Sequence, residues 1–210
     1  MTRWWWWACQ WVIRLVGLAL WRIRASGVEN IPRRGGCLLA ANHQSFLDPP
    51  LVAAFLPREM HFMARRSLFQ NPAFRALIVR CNAFPIERDT ADVKGVKLAI
   101  GRLEAGNLLL VFPEGTRTRD GTVGRMKAGI GVLAERAAVP IVPVLIEGAH
   151  RVWPKGRWLP GLGSIRIRFG RPLPPGATEG TNAADRLREA IVALKTGERT
   201  GCRTGSSSGS

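Results

Sequence analysis

Metal-binding and disulfide patterns are absent from this sequence, and acidic residues are scarce in it. The four cysteines, Cys9, Cys37, Cys81 and Cys202, form neither a CxxC pair nor a dense framework, which argues against zinc and suits a reducing, cytoplasmic compartment. The three histidines, His43, His61 and His150, show no HxH or HExxH spacing that would place two imidazoles on one ion, so no metal and no other cofactor is expected. There is no internal repeat. Only 15 Asp and Glu stand against 31 Lys and Arg, and the net charge of +16 calls for an anionic partner: nucleic acid, a lipid surface or a phosphorylated substrate. Nucleic acid is the poorest fit, because no basic stretch is interleaved with aromatics of the kind that stack bases.

Residues 4–21, WWWWACQWVIRLVGLALW, hold six of the eight tryptophans and no acidic side chain, with Arg3, Arg14, Arg22 and Arg24 in or beside them. At 18 residues the run falls short of the roughly 20 a spanning helix needs, and Arg14 at its middle would cost about 2.5–3.5 kcal/mol at a bilayer centre. A helix lying in the interface is therefore favoured over one that spans, with indoles at headgroup level and arginines reaching anionic phosphates. A cleaved signal peptide is disfavoured, because RIRASG after Trp21 offers no small-x-small site. The reading is a membrane-associated helix over 1–25, one domain over 26–195 and a disordered tail over 196–210, where little can be buried.

Within the domain the apolar period switches repeatedly. CLLAA (37–41), HFMA (61–64), NLLLVF (107–112), PIVPVLI (140–146) and SIRIRFG (164–170) read as strands. Helical patterns separate them: Asp48-Pro49-Pro50 reads as an N-cap and first turn of a helix to about Leu56, and Val93, Val96, Ile100 and Leu103 share a face ending near Gly106. Residues 126–137 and 184–194 supply two more. Alternating strands and helices predict an α/β fold, a mixed sheet flanked by helices.

Three loops carry chemistry. Asn42-His43-Gln44-Ser45-Phe46-Leu47-Asp48 follows CLLAA at a strand-to-helix junction, where open α/β sheets build sites. A turn there lets the Asp48 carboxylate accept from one ring nitrogen of His43 and leave the other as a proton acceptor; the competing reading is a helix-capping Asp beside an incidental His. Phe112-Pro113-Glu114-Gly115-Thr116-Arg117 caps a second strand, with Gly115 letting backbone approach a ligand and Arg117 offering a donor fork that matches phosphate; taken alone it is also an ordinary turn with a surface ion pair. Phe84-Pro85-Ile86-Glu87-Arg88 ends in another arginine, and Lys127 adds a cation that a solvated surface would equally explain.

Together and in order, these segments resemble the glycerolipid acyltransferases that act on 1-acylglycerol 3-phosphate. NHQSFLD is similar to that family's NHxxxxD block, FPIER to its second, FPEGTR to its third and VPIVPV (139–144) to its fourth, while MKAGI resembles its Lys-containing helix start. Two departures stand out: Asn82 replaces a frequent glycine before the second block, where asparagine tolerates positive φ, and Met126 replaces a more usual Phe before the lysine.

The resemblance implies a glycerol-3-phosphate acyltransferase-like fold and direct acyl transfer from acyl-CoA or acyl carrier protein to the free hydroxyl of lysophosphatidic acid, giving phosphatidic acid. By it His43 is the base and Asp48 its orienting partner. Arg88 and Arg117 hold the phosphate, Glu114, Gly115 and Thr116 position the glycerol, and Lys127 helps with the anionic substrate. The tryptophans and arginines of the N-terminal segment predict a place on the cytoplasmic face of the inner membrane, against its anionic surface. Three alternatives stay open: another lysolipid acceptor, a Ser45 nucleophile beside His43, which lacks a GxSxG elbow, and a non-catalytic basic membrane-binding module.

Overall fold

The structure is a computed structural model that describes residues 3–87, 92–127, 129–154, 156–177 and 182–196. One sheet holds seven strands: β1 (Arg24–Ser26), β2 (Cys37–Ala41), β3 (Met60–Arg65), β4 (Ala83–Ile86), β5 (Leu108–Val111), β6 (Ile141–Glu147) and β7 (Arg166–Phe169), in the order β1-β7-β6-β2-β5-β3-β4. Neighbours run parallel except β6 and β7, so the sheet is mixed, as expected. The helices are α1 (Arg3–Trp21), α2 (Asp48–Ala53), α3 (Pro72–Arg80), α4 (Val93–Glu104), α5 (Gly129–Arg136), α6 (Ala149–Val152) and α7 (Ala183–Thr196).

The central strand shows why the pattern works. All five residues of β2 are buried, because β6 and β5 flank it and helices cover both faces. Side chains alternate across a strand. Cys37, Leu39 and Ala41 therefore join one core with Trp6, Trp21, Leu51 and Val52. Leu38 and Ala40 join the other with Ala99, Leu103, Leu133, Leu187 and Ile191. Each fully buried leucine contributes about 1.5–3 kcal/mol, and a strand dry on both faces reads as a continuous apolar run.

Several boundaries differ from the sequence reading, each for a local reason. The helix expected from Asp48 to about Leu56 ends as α2 at Ala53, and the chain goes on in tighter turns, with Phe55 N–H donating to Val52 and Leu56 N–H to Ala53. Leu47, not Asp48, is the capping residue, and the Asp48 carboxylate turns back toward the preceding loop. Met126 and Lys127 precede α5, because the Lys127 N–H is taken by the Pro113 carbonyl. Val93 opens α4 but is exposed, whereas Ala99 and Leu103 face the core. Thr196, assigned to the tail, is the last residue of α7, and 197–210 lie outside the described residues. Asn82 adopts a φ of 62°, the conformation its amide side chain tolerates.

α1 lies on α2 rather than projecting from the domain. Trp6, Gln10, Gly17 and Trp21 recur at helical spacing on its buried side. Gln10 donates to the carbonyls of Ala53 (2.6 Å) and Leu56 (3.0 Å), and the Arg14 guanidinium donates to that of Ala54 between the rings of Trp11 and Phe55. A helix end leaves its last carbonyls without internal partners, and here α1 supplies them. Arg14 is thus turned to the protein, and its charge is absent from the outer face, where Trp4, Trp11, Val12, Leu15 and Leu18 are exposed. Among the described residues no helix is long and apolar enough to cross a membrane.

Candidate active site

β2 and β5 are adjacent and parallel, so the loops leaving their carboxyl ends emerge side by side. Asn42 ends the sheet pairing: its side-chain amide donates to the Ile146 carbonyl (2.9 Å) and its oxygen accepts the Ile146 N–H (2.7 Å), copying a backbone pair to β6. The backbone beyond it is released to the neighbouring loop. The His43 N–H donates to Glu114 Oε1 (3.1 Å), and the His43 carbonyl accepts from Thr118 N–H (2.8 Å).

His43 and Asp48 meet, as their spacing predicts. His43 Nδ1 lies 2.7 Å from Asp48 Oδ2, and that oxygen also accepts the N–H groups of Gln44 (2.6 Å) and Ser45 (2.8 Å). A carboxylate partner makes Nδ1 the protonated nitrogen and leaves Nε2 as the acceptor. The Asp48 side chain is fully buried, and its Oδ1 has no hydrogen-bond partner among the described residues. The imidazole stacks on Phe112, with ring centroids 4.0 Å apart and planes 19° apart. Gln44 braces the loop by donating to the Gly121 carbonyl (2.8 Å) and accepting from His150 N–H (3.2 Å).

The Glu114–Arg117 loop comes to the same edge. Burial pushes the Glu114 carboxyl up to about 7, against the backbone amides of His43 and Gly124, and the Asp48 carboxylate adds to the rise. A folded value above the unfolded value of 4.5 means that the native chain holds the extra proton between the two, so this contribution to stability is lost as pH rises through about 7. Glu114→Gln is expected to flatten that part of the curve of Tm against pH, read by thermal melts from pH 4 to pH 8 at roughly half-unit steps.

Gly115 has a φ of 70°, and a Cβ there would fall 2.9 Å from Cε of Lys127, so Lys127 and Gly115 are in contact. The Arg117 guanidinium sits 4.2 Å from the centroid of the Phe46 ring, and burial lowers its pKa while Asp48 opposes the shift. Thr116 is exposed beside them. Arg88 lies outside the described residues. Ser45 is not poised as a nucleophile: its hydroxyl donates to the Trp153 carbonyl (3.0 Å) and accepts from Leu47 N–H (3.3 Å).

Asn42, Gln44, Phe112 and Thr118 shape the site without having been assigned to it from sequence. The one available signal was polarity: Asn42 and Gln44 are polar residues directly after a wholly apolar strand, yet both are buried. Beside Gly115 opens a groove of about 420 Å³, walled by Met63, Val96, Ile100, Phe112 and Leu133 and edged by Lys127 and Arg136.

A buried histidine–carboxylate pair stands at the carboxyl edge of a largely parallel sheet, with an arginine-bearing loop held against its backbone, which is an α/β enzyme-like arrangement. The chain belongs to the acyltransferase family, whose model matches residues 22–147. It is 29% identical over 152 residues to a 1-acyl-sn-glycerol-3-phosphate acyltransferase of Bacillus subtilis, covering 72% of this chain and 73% of that protein. A chloroplast 1-acyl-sn-glycerol-3-phosphate acyltransferase of Brassica napus is 28% identical over 151 residues, with 70% of this chain but 44% of the relative covered. The crystal structure of the 1-acyl-sn-glycerophosphate (LPA) acyltransferase from Thermotoga maritima superposes with a TM-score of 0.76 at 28% identity, covering 90% of this chain and 78% of that one.

Proposed function

We propose that the chain transfers a fatty acyl group from a thioester, acyl-CoA or acyl carrier protein, to the free hydroxyl of 1-acylglycerol 3-phosphate, making phosphatidic acid. The observation that carries this reading is the 2.7 Å contact of His43 Nδ1 with the buried Asp48 carboxylate, beside a loop bearing Arg117. Nε2 of His43 takes the hydroxyl proton as that oxygen attacks the thioester carbonyl, the C–S bond breaks, and the thiolate leaves with the proton returned by the imidazolium. No covalent enzyme intermediate is needed.

Arg117 and Arg88 bind the phosphate in this reading, Lys127 adds a cation at the rim, and Glu114, Gly115 and Thr116 set the glycerol. The apolar groove suits an acyl chain, being of the volume usual for small-molecule sites. The exposed apolar face of α1 rests in the anionic cytoplasmic leaflet of the inner membrane, where the substrates reside.

Assaying the purified chain with a panel of lysolipid acceptors and both donor types tests the reading; phosphatidic acid absent from every combination would refute it. Arg117→Ala is expected to weaken use of lysophosphatidic acid more than of an acceptor without a phosphomonoester, by about 1.5–3 kcal/mol in kcat/KM. An equal loss on both acceptors would make Arg117 a structural residue held by Phe46.

A further inference from the structure

We propose that residues 157–163 are a second membrane-inserting element, joined to the C-terminal end of α1 to make one docking face for an anionic bilayer. Three large apolar side chains on this loop are bare: Trp158 is 88% exposed, Leu159 72% and Leu162 78%. Their backbone is anything but loose. Gly161 N–H donates to the Val152 carbonyl (2.8 Å), the Trp21 indole N–H to the Gly161 carbonyl (3.0 Å), and the Trp153 indole N–H to the Arg157 carbonyl (2.8 Å). A contiguous apolar tip held rigidly in water is costly to keep and marks an interaction surface.

The tip continues the face of α1. Gly163 N–H donates to the Leu20 carbonyl (3.3 Å), which sets the loop beside a helix end where Leu15, Leu18 and Leu20 are 62%, 58% and 43% exposed.

The surrounding charge selects the occupant. Arg22, directly after α1, and Arg157, on the loop itself, are both exposed. Residues 148–178 contain six Lys and Arg and no Asp or Glu. Indole and leucine at the tip with arginines as a collar match acyl chains below and anionic headgroups around them. Trp153 ties the element to the site, since its carbonyl accepts from Ser45 and its ring lies 6.2 Å from that of Phe46. Seating the loop therefore brings the exit of β2 to headgroup depth.

This inference rests on the reading of α1 as a membrane dock, and the experiment separates the two. The full chain is compared with a loop variant, Trp158→Ser with Leu159→Ser and Leu162→Ser, and a helix variant, Trp4→Ser with Trp11→Ser and Leu15→Ser, all at exposed positions. Binding is read by co-sedimentation with vesicles of phosphatidylcholine with and without phosphatidylglycerol, and folding by Tm.

The loop variant should keep its Tm and its activity on detergent-dispersed substrate yet bind mixed vesicles at least about tenfold more weakly, because withdrawing one large apolar side chain from water is worth about that factor. A dye on Leu159→Cys should shift to the blue on vesicles. Wild-type binding by the loop variant, or a dye that stays water-like on bound protein, overturns the inference. Loss by the helix variant alone would keep the α1 reading and sink this one, and loss by the loop variant alone would sink the α1 reading and with it the joint face. Equal binding to vesicles lacking phosphatidylglycerol would remove the collar.

Discussion

Replacing His43 with alanine is expected to lower kcat by about 10²- to 10⁴-fold while the chain stays folded, which is what a positioned general base usually contributes. The imidazole makes one side-chain hydrogen bond, to Asp48, and one stack, on Phe112; its backbone contacts to Glu114 and Thr118 survive truncation. Structure therefore loses little and chemistry loses its proton acceptor. Circular dichroism and Tm near wild type, with vesicle binding unchanged, would accompany the loss. Near wild-type turnover in this variant would overturn the mechanism.

Asp48→Asn should be nearly as damaging to turnover, and comparing it with Asp48→Ala divides its two duties. The amide oxygen of asparagine can still accept from Gln44 N–H, Ser45 N–H and His43 Nδ1, so the loop keeps its shape. What disappears is the negative charge that stabilises the imidazolium, and activity falls by about 10²- to 10⁴-fold. Alanine removes the acceptor as well, leaving two buried amides unpaired at about 1–3 kcal/mol each, so its Tm should drop well below that of the asparagine variant. Equal melting of the two, in parallel scans, would mean that the carboxylate is not what holds the loop.

How much was legible follows from where the information sits. β2, β5 and β6 are buried on both faces, so their sequences are unbroken apolar runs, and the His43–Asp48 contact closes within one turn. β1 has three residues of RAS and no pattern to read. α3 exposes every residue but Ile78, so it carries no apolar stripe to mark it, and only Pro72 and the capping Asn71 point to a helix. β4, Ala83–Ile86, shares only three residues with FPIER and is too short and proline-broken to show an alternating pattern.

The grip of Glu114 on the His43 backbone was unreadable for a different reason. Its partners are 71 residues apart, and nothing local says that β5 lies next to β2. Arg14 shows the same limit: its charge suggested lipid phosphates, whereas it donates to the Ala54 carbonyl at the end of α2.

The place of β1 in the sheet has a consequence for how the chain is made. β1 pairs with β7, Arg24 opposite Arg166, and the Trp21 indole closes on Gly161, 140 residues further along. At the ribosome's roughly 5–20 residues per second, about 7–30 s pass between the appearance of Trp21 and that of its partner. Throughout that interval β1 and the Trp21 indole lack these partners, although the earlier turns of α1 can already settle on α2. β1 therefore takes its place in the sheet only after β7 has been made, so the first strand in the sequence is among the last to be paired.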